Sequence, residues 1–276
     1  MPELPEVETM RRAVAPVAGS RVVAVERPPC RKRALTIEPA LPALRRRVVG
    51  RTVLEVGRLG KRVLLLLEGG DRLVFEPRMT GLVLLRDPPT QEHLRLRLRL
   101  EGGPAPELLY WDRRGLGVIS LLDPARFQAR CAGRLGPDAL GIDAPTLIER
   151  LGSSLRPIKV ALLDQAALAG VGNIYASESL HRAGIRPARP CRRLRAPEWE
   201  RLAAALREVL ETAVQNEGSD LGDGTYRSAL GDRASYQSLH RVYGRAGEPC
   251  PTCRRGLVRR TIMAQRATFH CPRCQR

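Results

Sequence analysis

The chain has 276 residues, 43% of them hydrophobic, which suits one large or two ordinary domains with a real core and excludes a disordered tail. Lysine and arginine number 47 against 29 aspartates and glutamates, a net charge of +18 that calls for a polyanionic partner, although charge alone does not separate nucleic acid from an acidic membrane. No apolar run approaches the ~18 residues of a membrane span, and the acidic, proline-containing start is no signal peptide, so a cytoplasmic or nucleoid-associated protein without a membrane partner is expected.

The chain opens Met1-Pro2-Glu3-Leu4-Pro5-Glu6. Loss of Met1 would leave the secondary amine of Pro2 beside two carboxylates. An α-amine titrates near ~8 against ~10.4 for lysine, so much more of it is free base at neutral pH. A secondary amine that attacks a sugar C1′ forms a cationic iminium, the electron sink of amine-based covalent catalysis. Glu3 and Glu6 are placed to move protons and to orient the amine. The same residues also fit a plain helix start, with Pro5 in the first turn and acidic side chains at the positive end.

From about residue 20 to 122 the pattern is one of short strands: 21–25, 63–67, 73–75, 82–85 and 118–122. The clearest is 93–100, whose strict alternation puts leucines on one face and His93 with three arginines on the other, expected to be a solvated outer face. After a Gly/Pro-bearing stretch near residues 133–145 the period becomes helical. Helices are expected at 145–151, 158–168, 174–181 and 197–214, the last with Trp199, Leu202, Leu206, Val209, Leu210 and Ala213 on one stripe. The fold class is α+β: an N-terminal antiparallel β-sandwich with a leading helix, then a helical domain that ends in a metal-bound hairpin. The expected divisions are 1–135, a hinge at 136–150, a helical domain at 151–240 and a hairpin at 241–276.

Seven cysteines leave Cys30, Cys131 and Cys191 isolated, while Cys250-x2-Cys253-x17-Cys271-x2-Cys274 forms two knuckles with room for a β-hairpin between them. Four thiolates saturate a tetrahedral zinc, which is therefore structural. His270, beside Cys271, is a weaker alternative ligand. Arg254, Arg255, Arg259, Arg260 and Arg266 on the hairpin suit phosphate.

The string Pro2 to Thr9 followed by Arg11-Arg12 resembles the start of the formamidopyrimidine-DNA glycosylase family. Gly170 to Glu178 is similar to that family's helix–two-turns–helix motif, and Val242-Tyr243-Gly244-Arg245 leads to a zinc tail with the similar string Ala264-Gln265-Arg266-Ala267-Thr268-Phe269. The resemblance implies a bifunctional glycosylase and abasic-site lyase on damaged double-stranded DNA, acting as a monomer on oxidised purines, with Pro2 as nucleophile and β,δ-elimination to cut the strand. It implies that Glu3 protonates the opened sugar, Glu6 orients the site and Lys61 lies near the lesion. Met79 would fill the vacated space, Arg114 would pair with the orphaned base and Leu116 would act as wedge. Arg266 and Asn173 would hold phosphates, with Lys159, His93 and Tyr175 as further contacts. Zinc would be the one bound metal, with no nucleotide or redox cofactor.

Three stretches depart from the family pattern. Leu116 stands where phenylalanine is usual, and the stacking it forgoes is worth roughly 1–3 kcal/mol. Glu76-Pro77 stands where His-Leu is usual, so a phosphate contact is expected to be lost. Residues 218–236 match the loop over the flipped base poorly. Two other readings stay open: a sister enzyme for oxidised pyrimidines, and a non-catalytic zinc-containing protein that binds damaged DNA.

Overall fold

The leading helix, α1 (Leu4–Val14), begins at a capping box: the Glu6 carboxylate accepts the Glu3 N–H at 2.7 Å. Leu4, Val7, Met10 and Val14 recur every three or four residues, and all are buried. The computed structural model describes residues 2–220 and 234–276. They divide into two units, residues up to Gly133 with the described parts of 216–235, and Arg134–Gln215 with Tyr236–Arg276.

The first unit is a two-sheet sandwich. One sheet has the order β1 (Arg21–Glu26), β7 (Leu94–Glu101), β8 (Glu107–Asp112), β6 (Gly81–Leu84), with every neighbouring pair antiparallel. The other has the order β2 (Thr36–Glu38), β9 (Val118–Leu122), β5 (Arg72–Glu76), β4 (Arg62–Leu67), β3 (Val53–Leu59). Its β2–β9 edge pair is parallel, a departure from the wholly antiparallel expectation. Helices α2 (Leu41–Val48) and α3 (Pro124–Arg130) complete the unit. Leu96, Leu98 and Tyr110 of the first sheet share one core with Val63, Leu65, Leu73, Phe75 and Ile119 of the second. Phe75 stacks on Tyr110 with ring centroids 5.7 Å apart, so the sheets are pinned at the ends of β5 and β8. Helix α1 packs on β3, β4 and β6.

The second unit is helical: α4 (Ala144–Leu151), α5 (Ile158–Leu162), α6 (Asn173–Ala183) and α7 (Ala196–Gln215), followed by the hairpin β10 (Arg259–Met263) and β11 (Arg266–His270). The expected helix at 158–168 stops at Leu162. Asp164 ends it, because its side chain accepts the Ala166 N–H at 3.0 Å and a guanidinium N–H of Arg156 at 2.8 Å, a local alternative to helical bonding. Helix α7 buries the predicted stripe from Trp199 to Ala213. Among the described residues no helix is long and apolar enough to cross a membrane.

Candidate active site and nucleic-acid interface

Pro2 and Glu3 are buried at the start of α1. Glu6 divides its carboxylate between two backbone donors: Oε2 takes the Glu3 N–H at 2.7 Å and Oε1 takes the Ser219 N–H at 2.8 Å. The chain approaches Glu6 at Gly218, where φ is +84° and a Cβ would lie 2.6 Å from Oε1, so only glycine fits. Most of the expected loop at 218–236 lies outside the described residues. Lys61 is half-buried in the two-residue turn between β3 and β4. That turn is tied to α1 by two residues absent from the sequence-based site. Arg58 donates through Nε to Glu8 at 3.1 Å and through Nη1 to the Gly60 carbonyl at 3.0 Å. Burial raises the Glu8 pKa, but Arg11, Arg12 and Arg58 outweigh it and hold the carboxyl below its ordinary value.

Two loops carry Met79, Arg114 and Leu116, and one buried carboxylate organises both. Asp112 accepts the Thr80 hydroxyl at 2.5 Å and the Arg114 N–H at 3.1 Å on Oδ1, and the Gly117 N–H at 2.8 Å on Oδ2. Tyr110 closes the space behind them, since a Cβ on Gly117 would sit 1.8 Å from its hydroxyl oxygen. With the backbone anchored, Arg114 is exposed, Leu116 half-buried and Met79 38% exposed, so the arms project from a fixed base.

Arg95 corrects the expectation of a solvated arginine face. The register of β7 against β8 slips between Leu94 and Leu96, and this bulge turns Arg95 inward, where it is 3% exposed. Its Nε donates to the Asp112 carbonyl at 2.7 Å and Nη1 to the Arg33 carbonyl at 2.9 Å, which braces the same loop from below. His93 is also buried, edge-on to Trp111. Arg97 and Arg99 behave as expected of a surface face and pair with Glu26 and Glu107.

In the second unit Lys159 is fully buried, which corrects its assignment as a direct phosphate contact. Its ammonium donates to Asn173 Oδ1 at 2.8 Å, the Ala267 carbonyl at 2.9 Å and Thr268 Oγ1 at 2.6 Å. Asn173 Nδ2 also donates to the Ala267 carbonyl at 3.0 Å. The first residue of α6 and the strand after the hairpin turn are thereby locked together. Ala264 and Gln265 form that turn with φ of +45° and +60°, the two left-handed positions of a tight hairpin, and Arg266 follows, exposed. Tyr175 is buried against Tyr236 and braces α6 without reaching the surface. Glu178 accepts the N–H groups of Arg241, Val242 and Tyr243 at 2.7–3.0 Å, although burial pushes its pKa up.

Cys250, Cys253, Cys271 and Cys274 converge with all four Sγ atoms within 4.8 Å of one another. The closest pairs are 3.7 and 3.8 Å apart, far from the ~2.05 Å of a disulfide and equal to the roughly 3.8 Å edge of a tetrahedron with ~2.3 Å zinc–sulfur arms. The Arg255 N–H pulls the Cys253 thiol down to about 6, while burial and the neighbouring sulfurs push Cys271 and Cys274 up. Four thiolates cannot share this space without a cation, so the donor set fits a structural zinc. His181 of α6 lies with Nε2 3.5 Å from Cys250 Sγ, and His270 stays outside the cluster.

A sandwich whose loops project a methionine, an arginine and a leucine, and a helical unit with a zinc hairpin locked to a helix start, make up a nucleic-acid-handling protein. The formamidopyrimidine-DNA glycosylase N-terminal domain matches residues 1–119, and the formamidopyrimidine-DNA glycosylase H2TH domain matches residues 135–223. A formamidopyrimidine-DNA glycosylase of Thermomicrobium roseum is 43% identical over 292 residues, spanning 100% of this chain and 99% of the relative. The crystal structure of the MutM (Fpg) protein of Thermus thermophilus superposes with a TM-score of 0.85 at 42% identity, covering 99% of this chain and 98% of that one. A structure of MutM in complex with DNA containing carbocyclic 8-oxo-G gives 0.84 at 29% identity over all of both chains. The chain belongs to the formamidopyrimidine-DNA glycosylase family.

Proposed function

We propose that this chain, a DNA glycosylase and abasic-site lyase of base excision repair, removes oxidised purines such as 8-oxoguanine and formamidopyrimidines through the Pro2 amine freed by loss of Met1. The Pro2 nitrogen attacks C1′ of the extruded nucleotide, and the damaged base departs with the glycosidic electron pair. Glu3 gives a proton to the ring oxygen as the sugar opens, which leaves an iminium between Pro2 and C1′. β-Elimination then δ-elimination expel the two flanking phosphates, and water releases the amine.

The observation that carries this reading is the grip of Glu6 on both the Glu3 and Ser219 N–H groups, which fixes the segment that bears the nucleophile. Around it, Met79 and Leu116 fill the hole left by the nucleotide, Arg114 pairs with the orphaned base, and Lys61 and His93 stand near the flanking backbone. The N-terminal domain, residues 1–135, performs the chemistry. Beyond the hinge at 136–150, residues 151–240 and the hairpin at 241–276 grip the duplex through Asn173 and Arg266, with Lys159 bracing them. Zinc shapes that grip and takes no part in the reaction. The enzyme works as a monomer in the cytoplasm, on nucleoid DNA.

Borohydride reduction during turnover of an 8-oxoguanine duplex tests it: the protein should be captured covalently on DNA, and Pro2→Gly should give no adduct. A strong adduct from Pro2→Gly would overturn the assignment.

A further inference from the structure

We propose that Arg62 and Arg78, set in place by Glu76 between them, clamp a backbone phosphodiester of the duplex beside the Leu116 loop; this rests on the reading of the chain as a glycosylase of duplex DNA. A groove of about 320 Å3 on the outer face of the five-stranded sheet is lined by these three residues together with Arg33 and Leu116. Glu76 ends β5 and splits its carboxylate: Oε2 takes Arg62 Nε and Oε1 takes Arg78 Nε, each at 3.0 Å.

Both guanidiniums are therefore held by Nε alone. Among the described residues their Nη groups have no protein partner, and neither does the exposed Arg33 guanidinium. A carboxylate that satisfies two cations through one nitrogen each acts as a bracket, not as a repulsive charge. It removes rotamer freedom that two long side chains would otherwise lose on binding, and it leaves the planar forks that match phosphate oxygens. Three arginines against one glutamate leave an excess of two positive charges next to Leu116. Farther along the groove Arg130 is matched by Glu38 at 2.7 Å, so the excess lies at the Leu116 end.

The backbone points the same way. Arg78 has φ +51°, a left-handed conformation that costs a non-glycine residue, and it aims this side chain back over Glu76. The acidic residue expected to abolish a phosphate contact thus scaffolds one made by its neighbours.

The test uses the zinc-loaded full chain and a duplex carrying a tetrahydrofuran abasic analogue, with affinity followed against salt. Removing the contact to that one phosphate in Arg62→Gln/Arg78→Gln should flatten the plot of log affinity against log salt by about 0.9. Arg46→Gln, which deletes a charge on α2, should leave the slope alone. Neutral methylphosphonates placed one at a time around the lesion should identify a position that weakens wild type but costs the double variant nothing further. An unchanged slope, an equal drop in Arg46→Gln, or no such position would overturn the clamp. If wild type is still trapped by borohydride in that case, only the clamp has failed; absent trapping with intact coupling would instead sink the glycosylase reading.

Discussion

The two units solve one problem with opposite charges. In the sandwich, the loops of Met79, Arg114 and Leu116 hang from a buried anion, Asp112, which collects N–H and O–H donors. In the helical unit, the start of α6 and the zinc hairpin hang from a buried cation, Lys159, which collects acceptors. An anion that consumes donors leaves side chains to project from its loops, suited to entering a base stack. A cation that consumes acceptors leaves a surface of donors at a helix start, suited to phosphate. In each case the groups proposed to touch DNA are bonded to a wholly buried charged group or adjoin a residue that is: Met79, Arg114 and Leu116 through Thr80, Arg114 and Gly117 to Asp112, and Asn173 and Arg266 through Asn173 and Ala267 to Lys159.

Removing the metal should break this symmetry most. A structural zinc contributes on the order of 10–16 kcal/mol in small domains, so chelation should unfold the hairpin and abolish binding to lesion duplexes while the sandwich still melts cooperatively. Calorimetry would show one surviving transition; two unaltered transitions would contradict the assignment. Lys159→Met leaves Asn173 Oδ1 and Thr268 Oγ1 without the ammonium, while the Ala267 carbonyl keeps Asn173 Nδ2, and should cost about 2–5 kcal/mol in urea unfolding, with weaker hold on zinc. A loss under 1 kcal/mol would mean that the ammonium is dispensable.

Asp112→Ala should cost about 2–3 kcal/mol, because its donors can reach water once the loops loosen. Its signature is non-additivity: combined with Thr80→Ala it should add little to DNA-binding loss, since both act through one hydrogen-bond network. Additive losses would show that the two loops are held independently.

The smallest effect concerns acid. Burial pushes His240 down to about 4, whereas an unfolded histidine titrates near ~6.5, so the unfolded chain takes up the proton first. The stability is full above about pH 6.5 and drains as pH falls toward 4. His240→Phe should flatten that decline in urea titrations at pH 7 and pH 4.5; an unchanged decline would exonerate this imidazole.

The sequence made the zinc ligands plain, because their spacing is set by covalent reach. It also placed most strands, α6 and α7, because their periodicity reports which face is buried. What it hid were reversals of side-chain direction. The bulge at Arg95 adds one residue to the ladder and sends an apparently solvated arginine inward. The five-residue α5 was hidden by Asp164, whose capping bonds outweigh an apolar run. Strand β8, buried along most of its length, has no alternation to read, so Asp112 at its end went unmarked despite the glycines that follow it. The bracketing role of Glu76 is not legible in its own segment, because its partners come from β4 and from the turn before β6.

Mass spectrometry of the borohydride-reduced complex, digested to a peptide bearing the sugar remnant, tests the central claim most directly. The account predicts the remnant on the nitrogen of Pro2, in a peptide that lacks Met1. A remnant on Lys61, or an active enzyme that still carries Met1, would contradict it.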